Sequence, residues 1–165
     1  MIRRRAGSRN RVTACRVDAV APVGRMKIWI AAVGLVLGFS VPAIASDYAS
    51  QISAYRRAHG LSAVRADSKL GAVALRQAQA MASSGTISHS AAGNFVSRVA
   101  PLRKSRAAEN IAAGFLSFAE TLKQWQDSAG HRANLLLPGA KKVGVASVAN
   151  ARSPYRVFWA MVITD

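Results

Sequence analysis

Cysteine and acidic side chains are scarce in this chain of 165 residues. Its single cysteine, Cys15, excludes a disulfide framework and a zinc site built from cysteines. Only 12 glycines and 5 prolines occur, and 51% of the residues are hydrophobic, which excludes a disordered or collagen-like polypeptide. No segment of about 20–50 residues recurs, so a repeat architecture is excluded as well. Length and composition therefore predict one globular domain.

The first 45 residues have the three parts of a secretory signal peptide. Arginine is the main charged residue of residues 1–24, Ile28–Val41 is an uncharged apolar run, and Ala43–Ala45 has the small-x-small pattern of a cleavage site. The apolar run has 14 residues. A bilayer span needs about 20 residues, so this length favours a cleaved signal over an uncleaved anchor.

We therefore predict a basic N-terminal extension at residues 1–25, a signal peptide at 26–45 that is cleaved near Ala45, and one domain at 46–165 that is secreted or periplasmic. A gene start at Met26 would explain the extension, and an extended basic leader is the alternative. The domain has 15 Lys and Arg against 6 Asp and Glu, a net charge of +9. We expect a monomer that does not bind nucleic acid and that has an anionic surface as one possible partner.

Hydrophobic periodicity predicts a mixture of helices and strands. Helices are expected over Asp47–Gly60, from Asp67 to Gly85, and after Ser117, which forms a capping box with Glu120. His131–Leu137 is expected to form a turn or short helix, and 86–108 has no sustained period.

Two strands are predicted near the end of the chain. Lys141–Val148 alternates in hydrophobicity, and Tyr155–Ile163 is apolar on both faces. A strand that is apolar on both faces needs a covering layer on each side. The predicted fold class is therefore α+β, a three-layer α–β–α sandwich with a small antiparallel sheet between helical layers. Trp125 and Trp159 are expected in its core.

Two histidines and one carboxylate are the candidate functional residues. His89 and His131 lie in polar surroundings near predicted helix ends, and Glu109 interrupts an apolar segment. Two imidazoles and a carboxylate form several open zinc sites, and they can equally form an acid–base set. Their spacing matches no compact ligand motif, so three separate polar residues remain an alternative. The basic cluster of Arg98, Arg103, Lys104 and Arg106 is expected to be a solvated face.

Two runs of sequence carry a resemblance to a known family. Ala108–Ala112, with the sequence AENIA, resembles the GENIA element of the CAP superfamily, the cysteine-rich secretory, antigen 5 and pathogenesis-related-1 proteins. Trp125–Leu136, with the sequence WQDSAGHRANLL, is similar to the W-x-x-S-x-G-H-R-x-N-(I/L)-L element of its bacterial SCP-like branch. The resemblance covers nearly all of residues 47–165.

The resemblance implies secretion, an α–β–α sandwich and a cleft lined by two histidines and two acidic residues. His89, Glu109 and His131 match three members of that set, and they are the predicted ligands of zinc or another divalent metal. The fourth position, a glutamate in many relatives, is Ser128 here. Ser128 is retained as a predicted ligand-binding residue, and the loss of the carboxylate disfavours a two-acid glycosidase.

Two functions remain open at this stage. The first is an exported binding module that holds a metal ion, a small ligand, a lipid or a cell-wall component, with no catalytic residue assigned. The second is a metal- or histidine-dependent hydrolase that acts on a cell-wall or peptide substrate. The missing second carboxylate and the absence of a cysteine nucleophile favour the first.

Overall fold

The structure is a computed structural model and describes residues 43–165. The predicted extension at 1–25 lies outside the described residues, as does the predicted signal peptide up to residue 42. Both stay predictions. No helix in the described range is long and apolar enough to cross a membrane.

The described chain contains five α-helices, one 3-10 helix and four strands. The helices are α1 (Ala43–Ala58), α2 (Ser68–Ser84), α3 (Phe95–Val99), α4 (Phe118–Asp127) and α5 (Ala129–Leu135), with a 3-10 turn at Ala100–Leu102. The strands are β1 (Arg65–Ala66), β2 (Ala107–Ala113), β3 (Lys142–Ala149) and β4 (Val157–Thr164).

The four strands form one sheet in the order β1-β3-β4-β2. Strand β4 pairs antiparallel with both β2 and β3, as the sequence predicts for the two long C-terminal strands. The two-residue strand β1 adds a parallel pair on the outer edge of β3, so the sheet is mixed. This short segment lies on the path from α1 to α2 and has no alternating pattern that the sequence could reveal.

Strand β4 is covered on both faces, which confirms the predicted three-layer sandwich. Trp159, Met161 and Ile163 belong to a core cluster with residues of α1, α4 and α5. Phe158 and Val162 belong to a second cluster with residues of α2. The sheet therefore lies between an α1/α4/α5 layer and an α2/α3 layer.

Both tryptophans of the domain lie in the first cluster, as predicted. Trp125 is fully buried and Trp159 is 3% exposed. Each indole N–H donates to a backbone carbonyl, Trp125 to Ile111 at 3.3 Å and Trp159 to Phe115 at 2.8 Å. These hydrogen bonds satisfy the polar atom that a buried indole carries.

Helix α2 packs against β3 at the distance of backbone contact. A Cβ atom at Gly144 would lie 2.1 Å from the backbone nitrogen of Gly71. Asp67 caps the start of α2 by accepting hydrogen bonds from the backbone of Lys69 and Leu70. Gly85 ends the helix in the left-handed region with φ of 67°. Both boundaries agree with the sequence prediction.

Three local predictions differ from the structure. Helix α1 begins at Ala43, four residues before the predicted start at Asp47. The stretch without a period contains α3, which Asn94 caps by accepting from Ser97 N. The turn or short helix expected over His131–Leu137 begins two residues earlier, at Ala129, so Gly130 lies beyond the end of α4, as predicted, but inside α5. Short helices such as α3 have too few turns for a periodic signal.

Candidate functional site

Glu109 is the centre of a buried network on β2. Its side chain is 2% exposed, and both carboxylate oxygens have partners. The guanidinium of Arg98 donates to Oε2 at 2.7 Å and to Oε1 at 3.0 Å. His89 Nδ1 lies 2.9 Å from Oε1. The paired and hydrogen-bonded state explains how a carboxylate is held inside the domain.

Arg98 is a site residue that the sequence prediction missed. It was expected on a solvated face, but its side chain is only 7% exposed because α3 turns it toward β2. Arg98 also donates to the carbonyl oxygens of His89 at 3.0 Å and Gly93 at 3.3 Å. The guanidinium lies 5.3 Å from the ring centroid of Phe95. Arg103, Lys104 and Arg106 are exposed, as predicted.

His89 is held on one side and open on the other. Its side chain is 58% exposed although Nδ1 contacts Glu109. Because an ionised carboxylate only accepts hydrogen bonds, the contact assigns the proton of a neutral His89 to Nδ1 and leaves the lone pair on Nε2. Nε2 is therefore the atom of His89 that can bind a ligand.

Gln77 positions the loop that carries His89. This side chain of α2 is fully buried. Its amide nitrogen donates to Ser88 O at 2.6 Å, and its carbonyl oxygen accepts from Ala92 N at 3.3 Å. One buried amide thus binds the backbone on both sides of His89. No periodicity singles out this glutamine, so its role could not be predicted from the sequence.

His131 lies in the first turn of α5 and is half-buried. Burial is the main factor that lowers its pKa below the usual 6.5, and the charge of His89 lowers the pKa further. The imidazole of His131 is therefore neutral near pH 7 and close enough to His89 to sense its charge. Its Nδ1 is buried without a hydrogen-bond partner in the described part of the chain.

Two asparagines join α5 to the edge of the sheet. Asn110 donates to His131 O at 3.0 Å. The side-chain amide of Asn134 donates to Asn110 Oδ1 at 2.9 Å and to Glu109 O at 3.0 Å. Glu109 and Asn110 are adjacent on a strand, so their side chains point to opposite sides of the sheet. The AENIA run thus sends one polar group to each half of the site.

Arg56 anchors the other end of α5. Its side chain is fully buried on α1. It donates to the carbonyl oxygens of Leu135 at 2.8 Å and Leu137 at 3.0 Å. These are carbonyls at the C-terminal end of α5, where a cation is favourable. With the two asparagines near its start, α5 is fixed at both ends.

Ser128 occupies the junction of α4 and α5. It lines an open groove of about 600 Å³ together with Phe115, Gln124 and three charged residues of α4. Within residues 43–165, no side-chain hydrogen bond joins Ser128 to His89, Glu109 or His131. Direct side-chain contact joins His89 to Glu109, whereas His131 is linked to the strand only through its backbone carbonyl and Asn110. The four-residue site, including ligand binding by Ser128, stays a prediction.

The metal hypothesis can be tested against these side chains. Among the described residues, no three His, Cys, Asp or Glu side chains are grouped so that they could hold a metal ion. Both oxygens of Glu109 are engaged by Arg98 and His89. The two imidazoles do suit a metal, since one is oriented by a carboxylate and the other is neutral with an unpartnered nitrogen. The three-ligand set stays a prediction.

Comparison with known proteins gives a family and a fold. The model of the cysteine-rich secretory protein family, CAP, matches residues 49–163. An outer surface protein from Borrelia burgdorferi is similar in structure, with 19% identity and a TM-score of 0.63 over 72% of this chain and 88% of that chain. A search of curated proteins found no relative that matches.

Two longer proteins are also similar in structure. An extracellular SCP-domain protein from Bacillus anthracis has 24% identity and a TM-score of 0.61. A cysteine-rich secretory protein from Staphylococcus aureus has 17% identity and a TM-score of 0.56. Each match covers 72% of this chain but only 39% and 36% of those proteins. At these identities the likeness shows the fold alone.

Proposed function

This chain belongs to the cysteine-rich secretory protein family, CAP, and on that premise we propose that it is an exported binding module whose His89 and His131 together bind a divalent metal ion or a small ligand that pairs with imidazole. The observation that carries the proposal is the contact of His89 Nδ1 with buried Glu109. That contact leaves the rest of the His89 ring open to solvent, and the charge of His89, after burial, contributes to lowering the pKa of His131.

Glu109 has the role of an orienting carboxylate in this proposal. Histidines that bind metals usually donate their second ring N–H to such a group, which fixes the tautomer and the ring orientation. Arg98 holds Glu109 in place and balances its charge. The two imidazoles then supply the ligand atoms, and a bound zinc would supply Lewis acidity and open positions for water or ligand.

A hydrolase is the second candidate, and the same contact favours it. A histidine whose Nδ1–H is held by a buried carboxylate can accept a proton at Nε2 and activate a water molecule. Against this, the carboxylate of Glu109 has no free oxygen with which to act as a general acid. A binding function therefore explains the arrangement of His89 and Glu109 without the separate general acid that a hydrolase would need.

Export is supported by two independent observations. The N-terminal 45 residues have the pattern of a secretory signal peptide. The similar proteins from Borrelia and Bacillus are described as an outer surface protein and an extracellular protein. The possible lipid, cell-wall and anionic-surface partners remain part of the proposal.

Calorimetric titration of the purified protein with Zn²⁺ tests the binding function. We expect one site, abolished in His89→Ala and in His131→Ala and weakened about 10–100-fold in Glu109→Gln, which keeps the shape but removes the charge of the orienting group. His59→Ala is the matched control, because His59 is exposed on the turn after α1 and is not part of the site.

Two outcomes would contradict the metal proposal. Zinc binding that persists unchanged in both histidine variants would show that the metal is bound elsewhere. Loss of binding in the His59 variant alone would have the same meaning. Turnover of a peptide or wall substrate that disappears in His89→Ala, with or without metal, would favour the hydrolase.

A further inference from the structure

Basic residues concentrate at one end of the sheet, the end away from the turn that joins β3 to β4. Arg65, Lys142, Thr164 and Ala107 form one row across the four strands at that end. Lys141, next to this row, donates its backbone N–H to Thr164 O at 2.8 Å. The basic end comprises seven basic residues near two acidic ones, Asp67 and Asp165: Arg65, Lys69, Arg103, Lys104, Arg106, Lys141 and Lys142.

A small cavity lies within the basic end. Its volume is about 200 Å³, and its lining includes Lys69, Lys104, Lys142 and Thr164. Lys142 is paired with Asp67, the remaining charged residue of the lining, at 2.9 Å. Lys69 and Lys104 are in no salt bridge in the described part of the chain. The cavity therefore has two cationic side chains outside any salt bridge. A hydrogen bond from Ser105 is the main cause that lowers the pKa of Asp165, and the charge of Lys104 contributes to that shift.

Thr164 provides a second, independent observation. It is fully buried at the end of β4, and it lines the same cavity. Its Oγ1 has no hydrogen-bond partner in the described part of the chain. Buried hydroxyl groups are almost always hydrogen-bonded, so an orphaned one beside a cationic cavity indicates a polar partner that is not part of the protein.

We propose that this cavity binds a phosphate group, with Lys69 and Lys104 as its cationic contacts and the hydroxyl of Thr164 as a neutral donor. A phosphate monoester carries about −1.5 to −2 charges near pH 7 and is therefore attracted to the two lysines that form no salt bridge. Lysine binds such a group as a point charge and needs no planar geometry. The N–H groups at the start of α2 are not available, because Asp67 already accepts from Lys69 N and Leu70 N.

The site is separate from the histidine site, because none of its lining residues belongs to the Glu109 network. Its function therefore does not depend on metal binding. The phosphate could be free, carried by a soluble monoester, or part of a lipid headgroup. The exposed basic residues around the cavity would attract any of these through their long-range field.

Titration of the full protein with inorganic phosphate at physiological ionic strength tests the site. We expect Lys69→Gln and Lys104→Gln each to raise the Kd about tenfold, as for the loss of one charge-assisted contact. Lys123→Gln is the matched control, because it removes the same charge from an exposed residue of α4 that pairs with Asp127. The control should bind phosphate like the unaltered protein.

Thr164→Val separates the hydroxyl from the packing of the residue, since the two side chains have nearly the same shape. Without phosphate we expect the Tm to stay equal or to rise, because an unsatisfied buried group is removed. The increase of Tm that phosphate produces should be smaller in the variant. An unchanged phosphate effect would show that the hydroxyl does not contact the ligand and would overturn its assigned role.

Two further results would overturn the site itself. One is the absence of phosphate binding by the unaltered protein, and the other is an equal loss in Lys104→Gln and Lys123→Gln, which would report net charge alone. Vesicles of phosphatidylcholine with and without phosphatidylglycerol identify the source. Binding to the anionic vesicles that Lys104→Gln abolishes assigns the site to a headgroup, and phosphate binding without vesicle binding assigns it to a soluble ligand.

Discussion

The two helical layers pack on the sheet in different ways. On one side, α2 approaches β3 so closely that backbone atoms meet at Gly71 and Gly144. On the other side, large aromatic rings fill the space, and Phe118 lies between Tyr48 at 4.4 Å and Trp159 at 5.8 Å, measured between ring centroids. The two glycines, which have no side chains, set the distance between α2 and the sheet. On the other side, the shapes of the aromatic rings set the packing of the helices.

The same two sides differ in the polar groups of the site. Toward α2 and α3, Glu109 contacts the charged side chain of Arg98 and the imidazole of His89. Toward α5, Asn110 makes only neutral hydrogen bonds, to His131 O and Asn134. The charged half holds its histidine directly by the ring, whereas the neutral half holds its histidine by the backbone and leaves the ring free. Four predictions test how the two sides differ in packing and in polar groups.

Gly144→Ala should have the largest effect, because the new Cβ would lie 2.1 Å from Gly71 N and 2.2 Å from Leu70 C. Backbone atoms cannot yield as a flexible side chain can, so we expect a loss of more than about 3 kcal/mol in the free energy of unfolding. Urea denaturation measures it. Gly71→Ala is the control, since its Cβ has open space and Ala favours the helix. Equal loss in both variants would contradict the close-approach explanation.

Glu109→Gln should have the next largest effect on stability. The variant leaves the buried Arg98 without its countercharge, so we expect a loss of about 3 kcal/mol in unfolding free energy. Chemical denaturation at pH 7 provides the measurement. Asp127→Asn removes a carboxylate from the exposed pair with Lys123 and should change little. If both substitutions lower the unfolding free energy by equally small amounts, the network around Glu109 does not stabilise the fold.

Trp125→Phe tests the aromatic side with a smaller change. The ring is retained in part, but the hydrogen bond from Nε1 to Ile111 O is lost and a small void remains. We expect a loss of about 2 kcal/mol, from the unsatisfied buried carbonyl and the missing ring atoms. Thermal and urea unfolding give the value. No loss would mean that the indole N–H adds nothing to the packing of α4 on β2.

The pH dependence of stability should show the smallest effect, and it reports on the burial of His131. Burial and His89 hold the pKa of His131 in the fold below 6.5, its usual value in an unfolded chain. Between the two pKa values the unfolded chain binds more protons, so stability falls as the pH drops below about 6.5.

Urea unfolding in the presence of a chelator, at several pH values from neutral to mildly acidic, measures this slope. We expect His131→Gln to reduce the slope and the exposed His59→Gln to leave it unchanged. A slope that is the same in the unaltered protein and in His131→Gln would show that this imidazole does not titrate with folding.

Much of the fold could be predicted because its signals are local. The capping box of Ser117 and Glu120 forms as expected, and Asp67 and Gly85 mark the ends of α2. The two apolar faces of β4 predict two covering layers, and both exist. The AENIA and WQDSAGHRANLL runs, which resemble CAP elements, contain the candidates Glu109 and His131, and the polar surroundings of His89 made it the third candidate.

The partners of those residues could not be predicted, because they come from distant parts of the chain. Arg98 contacts Glu109 across eleven positions, and Asn134 contacts it across 25. Nothing in the run around Arg98 distinguishes an inward arginine from a solvated one. The short helix α3, which no period predicts, decides its direction.

The sequence by itself determined the longer helices, the two C-terminal strands and the layers, because hydrophobic pattern and caps are written in neighbouring positions. The tertiary structure alone decided what each group does. It engages both oxygens of Glu109, leaves Nε2 of His89 free, and brings lysines 69, 104 and 142 to the lining of one cavity with Thr164. Ionisation and ligand binding depend on burial and on the nearest partner, which exist only after distant segments have packed together.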